Sequence, residues 1–205
     1  MKAIIGKKIG MTSIYTDAGA LVACTVVSVE PCFVTQVKTE ETDGYNSIQI
    51  GGGERREKST PKPLKGHFKK AGVDPLYKLV EIKNFDFEKN LGDEITLDIF
   101  EEGEKISVSS ISKGKGFQGV VKRHGFSGVG MQSHGQHNRG RAPGSIGMAS
   151  TPSKVLKGMR MAGRMGTDKV KVKGLKILKL VPDEKLMLVS GSVPGPKNSL
   201  VIIEA

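Results

Sequence analysis

A glycine pattern is the first feature of this chain whose spacing could support chemistry. Gly114, Gly116 and Gly119 spell G-x-G-x-x-G directly after a predicted strand, as in the phosphate-binding turn of dinucleotide-binding folds. Such a fold also requires a βαβ unit and an acidic residue about 20 positions later, but the next acidic residue is Asp168. The pattern therefore favours a turn whose small residues let a phosphate chain approach the backbone, with charge from Lys113, Lys115, Lys122 and Arg123.

Histidines and serines in the same region raise two further kinds of chemistry. His124, His134 and His137 could bind a metal, but zinc needs about four ligands and no cysteine or carboxylate lies nearby. Ser127 and Ser133 could act as nucleophiles, but no acidic residue is present to orient an imidazole and no nucleophile elbow surrounds either serine. We therefore predict no metal, cofactor, small-molecule substrate or enzymatic activity, and expect the imidazoles to contact bases, phosphates or 2′-hydroxyls.

The positive charge is concentrated in one segment. The chain carries a net charge of +11, yet residues 113–173 hold 13 Lys and Arg against one acid, and the remainder holds 19 basic and 20 acidic residues. The same segment has 13 of the 27 glycines and five of the eight methionines, and its apolar residues follow neither helical nor strand spacing from Gly125 to Gly166. Such a stretch cannot bury a core of its own, which predicts a long internal loop that becomes ordered on a polyanion.

The run from Arg139 to Arg164 carries the strongest signal for that partner. Cations first alternate with turn-forming residues and then recur at spacings of three to four. A solvated surface loop is the plain alternative. Apolar residues scattered among unpaired cations instead favour burial inside RNA. These apolar residues are Ile146, Met148, Val155, Leu156, Met159, Met161 and Met165.

A membrane surface is the second candidate for a basic protein, and the sequence argues against it. The longest uncharged apolar stretch, Ala18 to Val29, has 12 residues between Asp17 and Glu30, whereas a spanning helix needs about 20. Lysines interrupt the N-terminus, so no secretory signal is predicted and we expect a cytoplasmic protein without a membrane partner. Cys24 and Cys32 are predicted to be buried, reduced thiols.

The flanking sequence is typical of a mainly β protein. Short β-branched runs separated by turn residues predict a small closed barrel from residues 1–112 together with about 168–205, and residues 113–167 form the basic extension loop. Charged, Pro-containing sequence from Glu54 to Pro75 predicts a small inserted segment with a helix at Pro63–Ala71. The predicted strands are Ala3–Met11, Leu21–Val29, Phe33–Lys38, Ser47–Ile50, Tyr77–Ile82, Ile95–Ile99, Ile106–Ile111, Val170–Val181, Leu186–Val189 and Leu200–Ile203.

Several segments resemble the bacterial large-subunit ribosomal protein three family, in the same order and over essentially the whole chain. They are Met1–Met11, Ser112–Gly119, Ser133–Gly135, Gly144–Gly147 and Lys157–Gly166. The resemblance implies a translation-factor-like β-barrel with a small inserted α/β segment. It also implies a structural role in the large ribosomal subunit, where the loop threads through ribosomal RNA towards the peptidyl-transferase centre and the protein acts early in assembly.

The partners expected on this basis are large-subunit ribosomal RNA and neighbouring large-subunit ribosomal proteins. The resemblance implies that the loop tip comprises Gly147, Met148, Ala149, Ser150 and Thr151. Many bacterial relatives carry a methylated glutamine there, and its absence here predicts that the modification is absent; a methylated glutamine in a mass spectrum of this loop would contradict this. The residues predicted to bind RNA are Lys2, Lys7, Lys8, Lys113, Lys115, Lys122, Arg123, His124, His134, His137, Arg139, Arg141, Lys154, Lys157, Arg160, Arg164 and Lys169.

Two other functions stay open at this point. A free RNA-binding chaperone or translation factor could use the same loop for transient binding. A nucleotide-dependent enzyme could use the turn from Gly114 to Gly119, although its surroundings do not favour this.

Overall fold

The computed structural model describes residues 1–16, 19–85, 89–130, 132 and 134–205. Twelve strands and three short α-helices follow one another along the chain. In chain order they are β1 (Ala3–Tyr15), β2 (Leu21–Ser28), β3 (Cys32–Lys38), α1 (Glu40–Asp43), β4 (Ser47–Glu54), α2 (Lys62–Ala71), β5 (Leu76–Lys83), β6 (Glu94–Ile95), β7 (Lys105–Ile111), β8 (Phe117–Gln118), α3 (Val120–His124), β9 (Gly163–Arg164), β10 (Lys169–Val181), β11 (Leu186–Ser190) and β12 (Leu200–Glu204), with 3₁₀ turns at Glu57–Ser59 and Leu97–Ile99.

Six strands close into a barrel in the order β1-β12-β7-β10-β11-β2. Each neighbouring pair is antiparallel, and β1 begins the barrel against the C-terminal strand, with Ala3 opposite Glu204. Period-two patterning explains the arrangement, because alternate side chains of β7, Ile106 and Val108, are buried inside. The prediction of a mainly β fold with a closed barrel is confirmed.

A second sheet has the strand order β5-β4-β3-β6. It begins at Cys32 and ends at Ile95, so the prediction that the barrel would continue through most of this region, interrupted only at residues 54–75, is wrong. The two sheets cannot be told apart by strand spacing alone, since both alternate with period two. Helix α2 lies at the predicted position, and it ends where Gly72 adopts a left-handed conformation (φ 70°).

One continuous core joins the barrel and the second sheet. Ile4, Val108 and Ile203 from the barrel belong to the same buried cluster as Val34 and Ile50 from the second sheet. The sheets approach each other closely at Gly52, where a Cβ atom would lie 3.0 Å from Cβ of Ile5 and 3.1 Å from Sγ of Cys32, a tighter contact than most Cβ atoms make.

Both cysteines are free and buried, as predicted. Burial raises the pKa of the Cys32 thiol to about 11, so the thiol stays protonated at neutral pH. Its sulfur lies 3.3 Å from the backbone nitrogen of Ile5, which donates a hydrogen bond to it. The thiol therefore acts as a small core residue.

The chain forms two compact units, residues 1–111 with 169–205, and residues 112–168. The first contains the barrel and the second sheet, and the second contains β8, α3 and β9. That these units are separate domains, with boundaries at 1–112, 113–167 and 168–205, stays a prediction.

Candidate nucleic-acid interface

The second unit is held together at its base by two chain segments that we call the neck, residues 112–118 and 163–168. Strands β8 and β9 pair here, with Phe117 opposite Arg164. The backbone nitrogen of Lys115 donates to the Met165 carbonyl (2.9 Å), and the nitrogen of Met165 donates back to the Gly116 carbonyl (3.0 Å). The neck therefore fixes the two ends of the intervening residues of the unit.

Glycine at position 166 is a steric requirement of the neck. Gly166 has a φ of +78°, and a Cβ atom built on it would lie 2.1 Å from the Lys113 carbonyl oxygen. Gly128 has a similar restriction, with a φ of +74° and 2.1 Å between the position of a Cβ atom and the Gly140 carbonyl oxygen. These glycines let two backbones touch, a role that the sequence analysis did not assign to them individually.

Helix α3 brings two predicted RNA-binding residues onto one backbone carbonyl. Arg123 donates from Nη1 to the Met161 carbonyl oxygen (2.7 Å), and Nε2 of His124 lies 3.0 Å from the same oxygen. Gly163 makes room for the guanidinium, since a Cβ atom there would lie 2.7 Å from Nη1 of Arg123. Both side chains are half-buried, and their contacts join helix α3 to the segment at Met161, while Arg123 also contributes positive charge.

Residues 141–162 are all exposed and contain no helix or strand. Apolar side chains in this run face solvent, and Met148 at the predicted tip is 77% exposed. The run therefore presents methionine, valine and leucine side chains to solvent between its cations. The remaining tip residues, Gly147, Ala149, Ser150 and Thr151, are exposed as well.

Most of the other predicted RNA-binding residues of this unit also lie at its surface. His134 and His137 lie in turns, away from the contacts made by His124. Exposed side chains can meet phosphate groups without a change of fold. The exposed members are Lys113, Lys115, Lys122, His134, His137, Arg139, Arg141, Lys154, Lys157, Arg160 and Arg164.

The structure buries Lys8, which the sequence predicted to bind RNA. Its side chain is buried, and its ammonium donates to the carbonyl oxygens of Val193 (2.6 Å) and Gly195 (3.1 Å). A buried ammonium with two carbonyl acceptors cannot reach a phosphate outside the barrel. The lysine instead holds the loop that precedes β12.

The other three predicted residues of the first unit have separate surroundings. Lys2 forms an ion pair with Glu104 (3.3 Å). Lys7 and Lys169 are exposed and line one groove of about 1090 Å³ between the barrel and the second sheet. The groove also contains Tyr77 and Lys78, which were not predicted to contribute and carry no local pattern that marks them.

Other kinds of site find little support in the described part of the chain. No group of three or more His, Cys, Asp or Glu residues there is arranged to hold a metal ion. A helix does begin after Gly119, but it has five residues and follows an antiparallel strand, so the βαβ context is missing. Ser133 lies outside the described residues, as do Ala18 of the apolar stretch and Asp17 before it. Within the described ranges, no helix is long and apolar enough to cross a bilayer.

The electrostatics of the two units differ strongly. Residues 112–168 contain 10 Lys and Arg and one acid, a net charge of +9, and the rest of the chain has 22 Lys and Arg against 20 acids, or +2. Every ion pair among the described residues joins two residues of the first unit. The cations of the second unit therefore remain available for an external anion.

A closed barrel combined with an exposed, basic, glycine-rich unit defines a protein of the polyanion-binding class. Comparison with known proteins gives the family. The family model described as ribosomal protein L3 matches residues 70–186. The large ribosomal subunit protein uL3 of Chlorobium limicola is 54% identical over 205 residues, which cover 99% of this chain and 98% of the relative. The chain belongs to the ribosomal protein L3 family, and the resemblance stated from its sequence is confirmed.

Proposed function

We propose that residues 112–168 bind large-subunit ribosomal RNA, that the tip at 147–151 lies near the peptidyl-transferase centre, and that the protein acts early in subunit assembly. The observation that supports this most directly is the charge of the second unit, +9 with ion pairs described only in the first unit. RNA supplies phosphates at the density needed to balance such a unit.

Membership of the family gives the broader role. The protein is a structural, non-enzymatic constituent of the large ribosomal subunit, it participates in translation as part of a ribonucleoprotein, and its location is the cytoplasmic ribosome. Its partners are ribosomal RNA and neighbouring ribosomal proteins.

The mechanism separates positioning from binding. The neck fixes two ends of a segment whose middle, residues 141–162, is exposed and without regular structure. On RNA, arginine forks form paired hydrogen bonds with phosphates and lysines add point charges. Exposed apolar side chains such as Met148 and Leu156 then fill spaces between RNA segments, which removes them from water.

Salt dependence tests the phosphate contacts. If about six cations reach phosphates, a plot of log binding constant against log salt concentration has a slope of roughly −4 to −6. Replacing Arg139, Arg141 and Lys154 with glutamine is expected to reduce the slope by about two to three. The matched control replaces Lys62, Lys69 and Lys70, three exposed lysines of α2, and is expected to leave the slope unchanged. Equal slopes for the two variants would refute the assignment.

Deletion tests the division of roles. Removing residues 128–160 takes away five cations and leaves the neck. We expect a folded barrel, measured by circular dichroism and thermal unfolding, that enters large subunits poorly in competition with the full chain. Loss of the barrel fold would show that the two units depend on each other.

A free RNA-binding chaperone is the alternative to a stable constituent. The two functions differ in how long the protein stays bound to the large subunit. A stable constituent remains with large subunits through a high-salt wash, whereas a chaperone dissociates, and sedimentation of washed subunits followed by immunodetection distinguishes them.

A further inference from the structure

The outer part of the β1–β2 pair differs from the rest of this basic protein. Opposite residues of an antiparallel pair lie on the same face, which places Met11 opposite Thr25, Ser13 opposite Ala23, and Tyr15 opposite Leu21 on one face. We call the segments Met11–Thr16 and Gly19–Ala23 the outer hairpin. The turn is held by Thr16, whose nitrogen donates to the Ala20 carbonyl (2.9 Å).

Large apolar side chains cover the exposed face of the outer hairpin. Tyr15 is 74% exposed, Leu21 59% and Met11 53%. Single exposed apolar residues are ordinary, but three of them lie on one face of this hairpin, with Tyr15 directly opposite Leu21, and we call these three the apolar patch. Such a patch is stabilised when another apolar surface covers it.

The outer hairpin also has an open edge. β12 pairs with β1 only from Ala3 to Lys7, and Lys8 makes the last backbone bonds on that side, with Ser199 and Asn198. From Met11 to Tyr15, β2 is the only described strand that pairs with β1. This edge contains no charge and no proline, the devices by which proteins usually protect free edges. It can therefore accept another strand.

Charge decides what kind of molecule can cover this surface. Residues 9–29 contain no Lys or Arg and a single acid, Asp17, although 32 of the 205 residues in the chain are Lys or Arg. Lys197 approaches the hairpin at Gly10, which is five residues, or roughly 16 Å of strand, from Tyr15. An RNA backbone placed over Tyr15 would find no cation on the hairpin to offset its phosphates, whereas an apolar protein segment needs none.

We propose that the outer hairpin is a docking site for an extended, apolar segment of a neighbouring protein of the large subunit. The segment pairs with the edge of β1 from Met11 to Tyr15 and packs its side chains on Tyr15, Met11 and Leu21. Backbone hydrogen bonds give the contact its register, and the apolar patch gives it specificity. The proposal rests on the proposed function, because the partner is a component of the same particle.

Photo-crosslinking in assembled subunits tests this proposal. Tyr15→p-benzoylphenylalanine is introduced into the full chain, large subunits are purified and irradiated, and the adduct is mapped by mass spectrometry. The matched control is Phe117→p-benzoylphenylalanine, an equally exposed aromatic position (76%) in the neck, with Lys113, Lys115 and Lys122 within five residues in sequence. We expect Tyr15 to crosslink to one peptide of another ribosomal protein, and Phe117 to crosslink to ribosomal RNA.

Each outcome decides the matter. A Tyr15 adduct with RNA, with a second copy of this chain, or with nothing at all overturns the docking site. Absence of both variants from large subunits overturns the proposed function and this inference with it, whereas a Phe117–RNA adduct beside a failed Tyr15 result overturns the inference alone.

Hydrogen exchange on the unmodified chain gives a second readout that does not depend on how the Tyr15 variant folds. The alternate amides of Met11–Tyr15 that point away from β2 have no partner strand among the described residues, and the docked segment would bond them. We expect them to exchange at least about tenfold more slowly in large subunits. Unchanged exchange would contradict the added strand.

Discussion

Replacing Gly166 with alanine should loosen the neck of the second unit. Alanine at a φ of +78° costs about 1–2 kcal/mol relative to glycine. Its Cβ atom would also lie 2.1 Å from the Lys113 carbonyl oxygen, where Cβ contacts under 3.0 Å essentially never occur. The backbone must shift to relieve this overlap, which adds about 1–3 kcal/mol. The total is about 2–5 kcal/mol against the closed neck.

Gly116 provides a matched control within the same neck. It has a φ of +66°, and a Cβ atom there would meet nothing within 4 Å. Gly116→Ala therefore incurs only the conformational cost of about 1–2 kcal/mol. The difference between the two variants isolates the contact with Lys113, and it corresponds to roughly 5-fold to 150-fold in the equilibrium between closed and open neck.

Hydrogen exchange of the neck amides measures this equilibrium. The amides of Lys115, Met165 and Thr167 donate across the neck, and their protection reports its opening. We expect Gly166→Ala to reduce their protection far more than Gly116→Ala, while the amides of the barrel strands keep theirs. Equal losses in the two variants would refute the argument from the close backbone approach, and a loss in the barrel would refute the separation of the units.

Two further predictions concern the first unit. Lys8→Met keeps the aliphatic stem but leaves two carbonyls without the ammonium, so we expect the barrel to lose about 1–3 kcal/mol of stability in thermal unfolding while the salt slope of RNA binding stays unchanged. The pKa of Glu81 is lowered from 4.5 to about 2, so the folded state favours the carboxylate. The hydrogen bonds that lower this pKa come from Tyr45, Ser47 and Lys38. The stabilisation by the Glu81 carboxylate should be complete above pH 4.5 and disappear as the pH falls to about 2. Glu81→Gln should remove this part of the pH dependence of the free energy of unfolding.

The Lys8 prediction has a control on the same chain, and both predictions have an outcome that contradicts them. Lys7→Met changes an exposed neighbour of Lys8, and we expect it to leave thermal stability nearly unchanged. A reduced salt slope in the Lys8 variant would mean that its ammonium contacts RNA after all. For Glu81, the assignment is contradicted if the free energy of urea unfolding falls with acid pH as much in the glutamine variant as in the unmodified chain.

Local pattern was sufficient to predict most strands, because β-branched residues and turn formers act within a few residues. Ala3–Met11, Ile106–Ile111 and Leu200–Ile203 all lie in strands. The segment Ile95–Ile99 was predicted as one strand, but only Ile95 is paired and a 3₁₀ turn occupies Leu97–Ile99. Glycines and prolines do not mark that change of conformation, so the strand spacing was misleading there.

The positions of individual cations depend on contacts that composition does not encode. Lys8 is held by carbonyls 185 and 187 residues away in sequence, and Arg123 by one 38 residues away. Counting charges along the sequence does not distinguish cations bonded to carbonyls from cations exposed on the surface. Predicting them from sequence would require the closure of the barrel and of the neck to be known first.

The absence of charge on a surface can be as informative as its presence. A subunit protein surrounded by RNA needs cations wherever it meets phosphate, so a stretch from Ile9 to Val29 without Lys or Arg is unlike the rest of the chain. Exposed Tyr15 and Leu21 on that stretch gain little from solvent and nothing from phosphate. Under the two proposals, charge therefore assigns RNA to the basic unit and a protein segment to the outer hairpin.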